Sequence, residues 1–468
     1  MRALEYRYIV AAIYAVILFL DRLDLTIVNI ALPTIANYYH VLVTDTEWVN
    51  NAFLLALAFS IPISSWIGDR YGAKRIFIFA TALFGLTSLL CALAPNIDFL
   101  IAMRFMQGLS GGLIVPIGMS MVFRAFKPAE YASISSFIFI PSLLAPAISP
   151  ALGGILIHYF SWQWVFLFSV PISALIVVFA QWKLEEYRVK DVAKLDVKGF
   201  ALSSTALLLI FYVLSSIGDQ GFTYRNTAIL LTGLLLGAFF VQRERHTDAP
   251  LVDLSFFKKK LFVQANLIQM FFQIGHFGAL FVIAIYLQIG IGHSPLEAGM
   301  IMGMQALGAI CTSRLSVRLF ERYLAKRPIM IGLTGVAIIT PCILLLEAST
   351  SIWLGCLILY CRGICSGLCG APMQTIGILG FKTDEVSRAA AVFNIIRQLS
   401  IGLGIALSSL LLNFAMRDMG THDFSLLAQY DKSVFYGAFL LISISGLCGV
   451  YVTSRLDNKT ISAHVSSA

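Results

Sequence analysis

The 468-residue chain is predicted to be an all-α polytopic membrane protein built from two six-helix halves with two helices inserted between them. Three observations support this fold class: a low charge content, fourteen long apolar runs and a loop sequence that occurs twice. Charged residues make up 12% of the chain, about half the share that a soluble domain carries. This composition excludes a soluble enzyme, a disordered scaffold and a nucleic-acid binder, so we expect no nucleic-acid partner.

The apolar runs are long enough to cross a bilayer, which takes about 20 residues per helix. Because the runs are continuously apolar and do not alternate with polar residues, they exclude transmembrane β-strands. Their grouping as six, two and six predicts two halves at 1–190 and 251–468 and an inserted pair at 191–250. The runs lie near 8–35, 46–68, 75–94, 98–123, 131–158, 163–181, 199–218, 226–242, 262–291, 296–313, 328–346, 351–378, 387–414 and 433–454.

The basic residues predict the topology. Of the 33 lysines and arginines, 26 fall on one face of the fourteen-span arrangement, three fall on the other and four lie inside spans. Since cytoplasmic loops carry the excess of Lys and Arg, both termini are predicted to be cytoplasmic. The net charge of +8 then reflects topology and not an anionic partner. The first run is too long for a cleaved signal peptide, so we expect a multi-pass protein of the inner (plasma) membrane, with the lipid bilayer as its partner.

One loop sequence occurs in both halves. Residues 69–75 read Asp-Arg-Tyr-Gly-Ala-Lys-Arg, and residues 321–327 read Glu-Arg-Tyr-Leu-Ala-Lys-Arg. A weaker similarity links Arg104 and the glycines after it with Arg362 and the glycines that follow it. Two homologous halves are typical of secondary transporters, whose substrate site lies near the membrane midplane between halves that rock.

Three charged residues lie inside the first span, where each charge costs about 3 kcal/mol at the bilayer centre. Asp21 and Asp24 are three positions apart on one helix face, while Arg22, Thr26 and Asn29 fall on the neighbouring face. Local hydration and a nearby arginine both change how firmly a carboxyl group holds its proton. We therefore hypothesise that Asp24 couples transport to protons, with Asp21 as an accessory. The alternative is a static ion pair that fixes helix packing.

The second half carries polar side chains at helical spacing. Asn266, Gln269, Gln273 and His276 form one stripe on the ninth span, which predicts that they line the substrate cavity; hydrogen bonding between helices is the alternative. His276 could titrate near neutral pH, although a lone histidine is more often a hydrogen-bond partner. Further predicted cavity residues are Arg362, Asn394, Arg397 and Gln398 on two late spans and Arg22, Thr26 and Asn29 on the first span.

The charges inside the spans bear on the substrate. Two aspartates and four arginines give an excess of positive charge, which favours an anionic, zwitterionic or neutral substrate such as a carboxylate metabolite or a siderophore. A multidrug exporter of lipophilic cations is the alternative. No Gly-Lys-Thr/Ser phosphate-binding loop is present, so we expect transport driven by a proton gradient without a cofactor or metal. Dispersed histidines and short loops argue against a membrane-embedded enzyme or a receptor.

Several motifs resemble the major facilitator superfamily, and more narrowly its fourteen-span drug–proton antiporter branch. The resemblance covers most of the chain. Departures include Ser65 in place of the usual first glycine of the loop motif and Gln163 in place of a helix-six arginine. The similar segments are the first-helix signature at 23–33, the loop motif at 69–75, the helix-four motif at 104–108, the helix-five motif at 149–154, the helix-six entry at 162–172 and second-half motifs near 286–299.

The resemblance implies roles for these motifs. Arg104 and Gln107 are expected to face the central cavity, where Arg104 holds or releases the proton of Asp24. The loop is expected to be a gating latch, in which Asp69 is held by a neighbouring helix end and by arginines when the protein faces outward. The helix-five motif is expected to form a kinked, tightly packed helix. We expect a monomer that exports its substrate by proton antiport, with a proton-coupled importer as the alternative. The latch comprises Asp69, Arg70, Gly72, Lys74 and Arg75, and the helix-five motif comprises Pro146, Pro150, Gly153 and Gly154.

Overall fold

The computed structural model describes the backbone of residues 2–41, 43–189, 192, 194–220, 223–247, 253–347, 349–382, 385–418 and 432–466. This described part of the chain is helical, without strands. Eleven of its helices are long and apolar enough to cross a membrane. The protein is therefore an all-helical, multi-pass membrane protein. The count of fourteen spans, the side on which the termini lie and the domain boundaries stay predictions.

The helices before the inserted pair follow the first six apolar runs. At the start of the fourth of these runs the Asn96 side chain accepts a hydrogen bond from the backbone N–H of Phe99 at 2.8 Å, which satisfies one free donor of the first helical turn. These helices are α1 (Arg2–Tyr39), α2 (Val43–Tyr71), α3 (Ala73–Ala92), α4 (Ile97–Ala125), α5 (Tyr131–Tyr159), α6 (Trp164–Leu167) and α7 (Ser169–Lys183).

The inserted pair and the later helices follow the remaining runs. Ser294 and Glu297 form a reciprocal capping box at the start of one of them. Short 3₁₀ or π segments extend two others, at Tyr286–Gly290 and Thr340–Leu345. These helices are α8 (Val197–Gln220), α9 (Tyr224–Glu244), α10 (Lys260–Ile285), α11 (Pro295–Tyr323), α12 (Lys326–Ile339), α13 (Ile352–Ile378), α14 (Val386–Asp418), α15 (Ser433–Ser454) and α16 (Asn458–Ser466).

The same helix pairings occur before and after the inserted pair. α1 packs on α5 and α2 on α4, and correspondingly α10 packs on α14 and α11 on α13. Glycines permit the closest approaches: a Cβ added at Gly108 would lie 2.2 Å from the Phe53 carbonyl oxygen, and one added at Gly363 would lie 2.0 Å from that of Gln305. Small residues at helix contacts are typical of membrane bundles. The weak sequence similarity around Arg104 and Arg362 thus marks equivalent helix contacts.

The helices before the inserted pair (α1–α7) and those after it (α10–α16) are here called the two groups. They meet near the end of the bundle that carries the α2–α3 loop, here called the loop end. The Ser136 hydroxyl on α5 donates to the Ser313 carbonyl on α11 at 3.1 Å. The Asn394 amide on α14 lies 3.5 Å from the Met119 sulfur on α4. These contacts join the two groups of helices at the loop end.

The inserted helices lie beside the bundle. α8 packs on α2, α14 and α9, and its Ser204 hydroxyl donates to the Phe59 carbonyl on α2 at 3.0 Å. At the loop end Arg243 makes two hydrogen bonds to Asp196, of 3.0 and 2.8 Å, which lower the pKa of that carboxyl group below its usual value. α9 exposes Leu231 and Phe239, as expected of a helix that faces lipid.

Candidate functional site: a buried ion pair beside an apolar cavity

The charged centre of the site is an ion pair between α1 and α4. Arg104 donates through one terminal nitrogen to Asp24 Oδ2 at 2.5 Å, and both side chains are completely buried. The same nitrogen lies 2.7 Å from Gln107 Oε1, and Gln107 donates through Nε2 to Asp24 Oδ1 at 3.2 Å. Both oxygens of the Asp24 carboxylate therefore accept hydrogen bonds. The structure thus brings together three residues that the sequence predicts for this site.

Arg104 also ties α4 to α2. Its Nε donates to the Val49 carbonyl at 3.0 Å, and its second terminal nitrogen donates to Asn50 Oδ1 at 3.3 Å. The guanidinium lies over the Phe53 ring, 4.5 Å from the ring centre, a favourable cation–π geometry. Sequence reasoning did not find Asn50, because a neutral amide in an apolar run gives no signal of its own.

Asp21 lies one turn before Asp24 in a different environment. Its side chain is fully buried, and neither carboxylate oxygen has a hydrogen-bond partner in the described part of the protein. The nearest cation is Arg22, whose Nε lies 3.7 Å from Oδ2. Arg397 of α14 lies within electrostatic range. Burying an ionised carboxylate without hydrogen bonds is costly, so Asp21 is less well compensated by its surroundings than Asp24, both of whose oxygens accept hydrogen bonds.

The other predicted residues of the first span contribute less. The Thr26 hydroxyl donates to the carbonyls of Arg22 and Leu23 in its own helix, at 3.0 and 3.1 Å. The side chain of Asn29, which the sequence also predicts for the cavity, lies outside the described residues. Arg22 lines a small pocket between α1, α2, α4 and α14, together with three of the predicted late-span residues: Asn394, Arg397 and Gln398.

The polar stripe on α10 is buried and packs against neighbouring helices. Gln269 donates to the Phe393 carbonyl on α14 at 3.0 Å, Asn266 donates to the Phe262 carbonyl one turn earlier at 2.8 Å, and His276 stacks on Phe272. Neither these residues nor Gln273 line the cavity described below. The contact of Gln269 matches the interhelical alternative.

Arg362 on α13 occupies the position that corresponds to Arg104. It is fully buried, donates through Nε to the Thr340 hydroxyl at 2.9 Å and through a terminal nitrogen to Gln305 Oε1. These partners are neutral, whereas Arg104 binds a carboxylate. The charged pair is therefore specific to the first group of helices.

The α2–α3 loop is held by the end of α4 and by the chain after α7. Arg124 donates to Asp69 Oδ1 at 3.0 Å and lies over the Tyr187 ring, 4.1 Å from its centre. Arg70 donates to the Val192 carbonyl at 3.2 Å, and Lys74 Nζ donates to the Gln181 carbonyl at 2.9 Å. The acid of the predicted latch thus has a neighbouring helix end as its partner.

Glu186 packs over the same loop. Its Oε1 accepts from the backbone N–H of Lys74 at 3.0 Å, and its Oε2 lies 3.5 Å from Arg75 Nε. Gly72 has φ +104°, and an added Cβ would lie 2.5 Å from the Glu186 carboxyl group. Only glycine fits this turn without strain.

We expect Gly72→Ala to lower the free energy of unfolding by about 1–3 kcal/mol, because the residue must keep a strained positive φ and displace the Glu186 carboxyl group. Thermal unfolding of the purified protein measures the loss. Gly292→Ala is the matched control, since Gly292 also has a positive φ, of +77°, but no atom lies within 4 Å of an added Cβ. Equal losses for the two variants would contradict a role for the Glu186 contact.

The helix-five motif is described in part. A Cβ added at Gly153 would lie 3.0 Å from Ile27 on α1, whereas one added at Gly154 meets nothing within 4 Å. Gly153 therefore permits the close contact of α5 with α1, and Gly154 lies at an open position. The side chains of Pro146 and Pro150 lie outside the described residues.

A cavity of about 370 Å³ lies beside the ion pair, between α1, α2, α8, α10 and α14. Its polar side chains are Asn50, Asn51, Gln398 and Ser409, and the remaining described lining is apolar, with no charged side chain. Asn50 lines the cavity and also accepts a hydrogen bond from Arg104. A molecule in the cavity would therefore lie one side chain away from the ion pair.

The family model described as Major Facilitator Superfamily matches residues 14–405. The chain belongs to the major facilitator superfamily. This confirms the superfamily predicted from the motifs and makes the protein a transporter and not an enzyme. Its curated relatives include the "Putative multidrug resistance protein MdtD" of Escherichia coli O157:H7, which is 26% identical over 445 residues, 94% of this chain and 93% of the relative. The MdtD protein of Shigella boydii serotype 18 matches to the same extent. These similarities support the drug–proton antiporter branch.

Two solved structures share the fold. The human organic anion transporter MFSD10 (TETRAN) superposes with a TM-score of 0.67 and 13% identity, covering 96% of this chain and 99% of that one. The proton:xylose symporter XylE superposes with a TM-score of 0.66 and 12% identity, covering 97% of this chain and 96% of that one. At these identities the likeness establishes the fold alone.

Proposed function

We propose that this superfamily member is a proton-coupled antiporter that exports a small organic molecule across the inner membrane by alternating access. The observation that carries the proposal is the buried Asp24–Arg104 pair, joined through Asn50 to a cavity large enough for an organic molecule. The relatives named as multidrug resistance proteins support export of several compounds. The protein acts as a monomer with fourteen spans and both termini in the cytoplasm, and it uses the proton gradient without a cofactor.

In this proposal transport is coupled to protons because a proton and Arg104 compete for the Asp24 carboxylate. While Asp24 is ionised, it holds Arg104 and Gln107 as observed. A proton on Asp24 removes the charge that binds Arg104 and weakens this pair, which frees Arg104 to move with Asn50 at the cavity wall. Occupancy of the cavity and protonation of Asp24 thus act on the same hydrogen bonds. Asp21, buried without hydrogen bonds, is the accessory proton site.

The closed contacts at the loop end, together with the Asp69–Arg124 pair, support a conformation that faces away from the cytoplasm. In this proposal the loop motif stabilises that state and opens when the halves rock. Arg22 and Arg397, together with Asn394 and Gln398, line the separate small pocket between the helices, which shares Gln398 with the cavity. This arrangement keeps anionic, zwitterionic and neutral molecules as candidate substrates; lipophilic cations and import are the alternatives.

Asp24→Asn is expected to abolish proton-driven transport while the protein stays folded, because the amide keeps the shape of the carboxyl group but cannot exchange a proton. Purified protein in liposomes is screened for proton release on addition of organic anions, siderophores, neutral drugs and cationic dyes. We expect at least a tenfold loss in the variant. Asp98→Asn, which alters an exposed carboxylate in the first turn of α4, is the control and is expected to behave as wild type.

Proton-driven transport at the wild-type rate by the Asp24→Asn protein would overturn the coupling role. Proton-driven uptake into inverted vesicles decides the direction, since accumulation of substrate in vesicles with an acidic lumen is expected of a proton antiporter that exports and not of a proton-coupled importer.

A further inference from the structure

The inserted helix α8 forms part of the wall of the 370 Å³ cavity. Phe211 and Leu214 line it and meet α14 at Gly402, where an added Cβ would lie 3.4 Å from both side chains. Across the cavity are α2, through Asn50 and Leu54, and α10, through Phe281. The cavity thus lies between helices of both groups, and α8 encloses it from the side.

The lining indicates the chemistry of the occupant. Amides and one hydroxyl supply the polar contacts, and no charged side chain of the described residues lines the cavity. A charged group placed there would lose its hydration without gaining an ionic partner. Among the cations of the neighbouring helices, Arg104 is already bound to Asp24, and Arg22 and Arg397 line a separate small pocket that shares only Gln398 with the cavity. The lining therefore suits an apolar, aromatic body with a few uncharged hydrogen-bonding groups.

We propose that this cavity is a substrate subsite for uncharged, largely apolar organic molecules, and that Phe211 and Leu214 make the inserted helix a determinant of specificity. The proposal rests on the transport function proposed above and narrows its substrate class. The volume lies within the range of about 300–1,000 Å³ that is usual for small-molecule sites. Because Asn50 lines the cavity and accepts a hydrogen bond from Arg104, an occupant of the subsite is linked to the coupling pair through one side chain.

Binding of two matched probes tests the subsite. N-phenyl-1-naphthylamine is neutral, and 1-anilinonaphthalene-8-sulfonate carries the same ring system with a sulfonate. Energy transfer from the tryptophans to each probe is measured in liposomes, with protein-free liposomes as the blank. We expect the neutral probe to bind at least tenfold more tightly than the anion, and Phe211→Ala to weaken its binding at least fivefold.

The control is Phe239→Ala, which removes the same ring from an exposed position on α9, the partner of α8; its affinity is expected to equal that of wild type. Leu214→Trp is a second test that does not depend on a truncated side chain, because the larger ring fills the cavity and should lower binding by a similar factor. If the neutral probe bound the Phe211→Ala and Phe239→Ala proteins with equal affinity, as expected of a probe that dissolves in the lipid, the proposal would be overturned. Tighter binding of the sulfonate would also overturn it.

Failure of the subsite is distinguishable from failure of the proposed antiport. If Phe211→Ala weakens the neutral probe but Asp24→Asn leaves proton-driven transport unchanged, the subsite stands and the coupling role falls. If Asp24→Asn abolishes transport but Phe211→Ala binds the probe as wild type does, the coupling role stands and the subsite falls.

Discussion

Arg104→Leu is expected to destabilise the protein by about 3–5 kcal/mol, the usual cost of removing one partner of a buried ion pair. The substitution leaves the Asp24 carboxylate fully buried without its cation. It also removes the hydrogen bonds that Arg104 gives to the Val49 carbonyl and to Asn50. Unfolding of the purified protein by denaturant measures the loss, and transport by the surviving protein is expected to fall to background.

The double variant Arg104→Leu/Asp24→Asn shows how much of the loss in stability comes from the unpaired charge and how much from lost packing. Because it removes both charges, we expect it to be more stable than Arg104→Leu alone. Arg362→Leu is the matched control: this arginine is equally buried, but its partners Gln305 and Thr340 are neutral, so a smaller loss of about 1–3 kcal/mol is expected. A double variant no more stable than Arg104→Leu would show that the loss comes from packing and not from the unpaired carboxylate.

Gly108→Ala and Gly363→Ala are expected to destabilise the protein by about 1–3 kcal/mol or more each. In both cases the new methyl group would lie within 2.2 Å of a backbone carbonyl oxygen, Phe53 on α2 or Gln305 on α11. Since that oxygen belongs to a helix backbone, the whole helix must move and cannot yield by a side-chain rotation. Thermal unfolding in detergent measures the effect.

Gly437→Ala is the control for this pair, because nothing lies within 4 Å of an added Cβ there. Alanine is a better helix former than glycine by about 0.5–1 kcal/mol, so this variant is expected to be as stable as wild type or slightly more so. Losses of similar size at Gly437 and Gly108 would mean that helix propensity and not helix contact determines the result.

The helices could be predicted because a bilayer-spanning segment must satisfy its own backbone hydrogen bonds, so each long apolar run specifies a helix without reference to the rest of the chain. The superfamily followed from motifs such as residues 23–33 and 69–75. The contact between Asp24 and Arg104 was also foreseeable, since few charges lie inside the spans and an unpaired one is costly. In each case the local sequence is compatible with only one kind of structure.

The rotation of a helix about its axis could not be read from hydropathy. The stripe at Asn266, Gln269 and His276 looked suited to a cavity wall, yet Gln269 bonds to the Phe393 carbonyl on α14. A buried amide is satisfied equally well by a substrate, a water molecule or a neighbouring backbone, so its type does not show which one it meets. For the same reason Asn50 and Gln305, the neutral partners of Arg104 and Arg362, were not found.

The location of the inserted pair is a further property that the chain order leaves open. Two apolar runs between two halves could pack anywhere around the bundle, because lipid offers no hydrophobic preference among surfaces. The position of α8 is determined by specific contacts. The Ser204 hydroxyl donates a hydrogen bond to the Phe59 carbonyl on α2, and Phe211 and Leu214 pack against Gly402 on α14. Its contribution to the cavity therefore emerges only from the three-dimensional structure.

The helix α8 contacts both groups of helices at once. Toward α2 it has a directional hydrogen bond, from the Ser204 hydroxyl to the Phe59 carbonyl. Its Phe211 also belongs to an apolar cluster that includes Ala58 of α2 and Ile395 of α14. Any change in the separation of α2 and α14 must therefore change the packing of α8, so the inserted pair registers the relative position of the two groups.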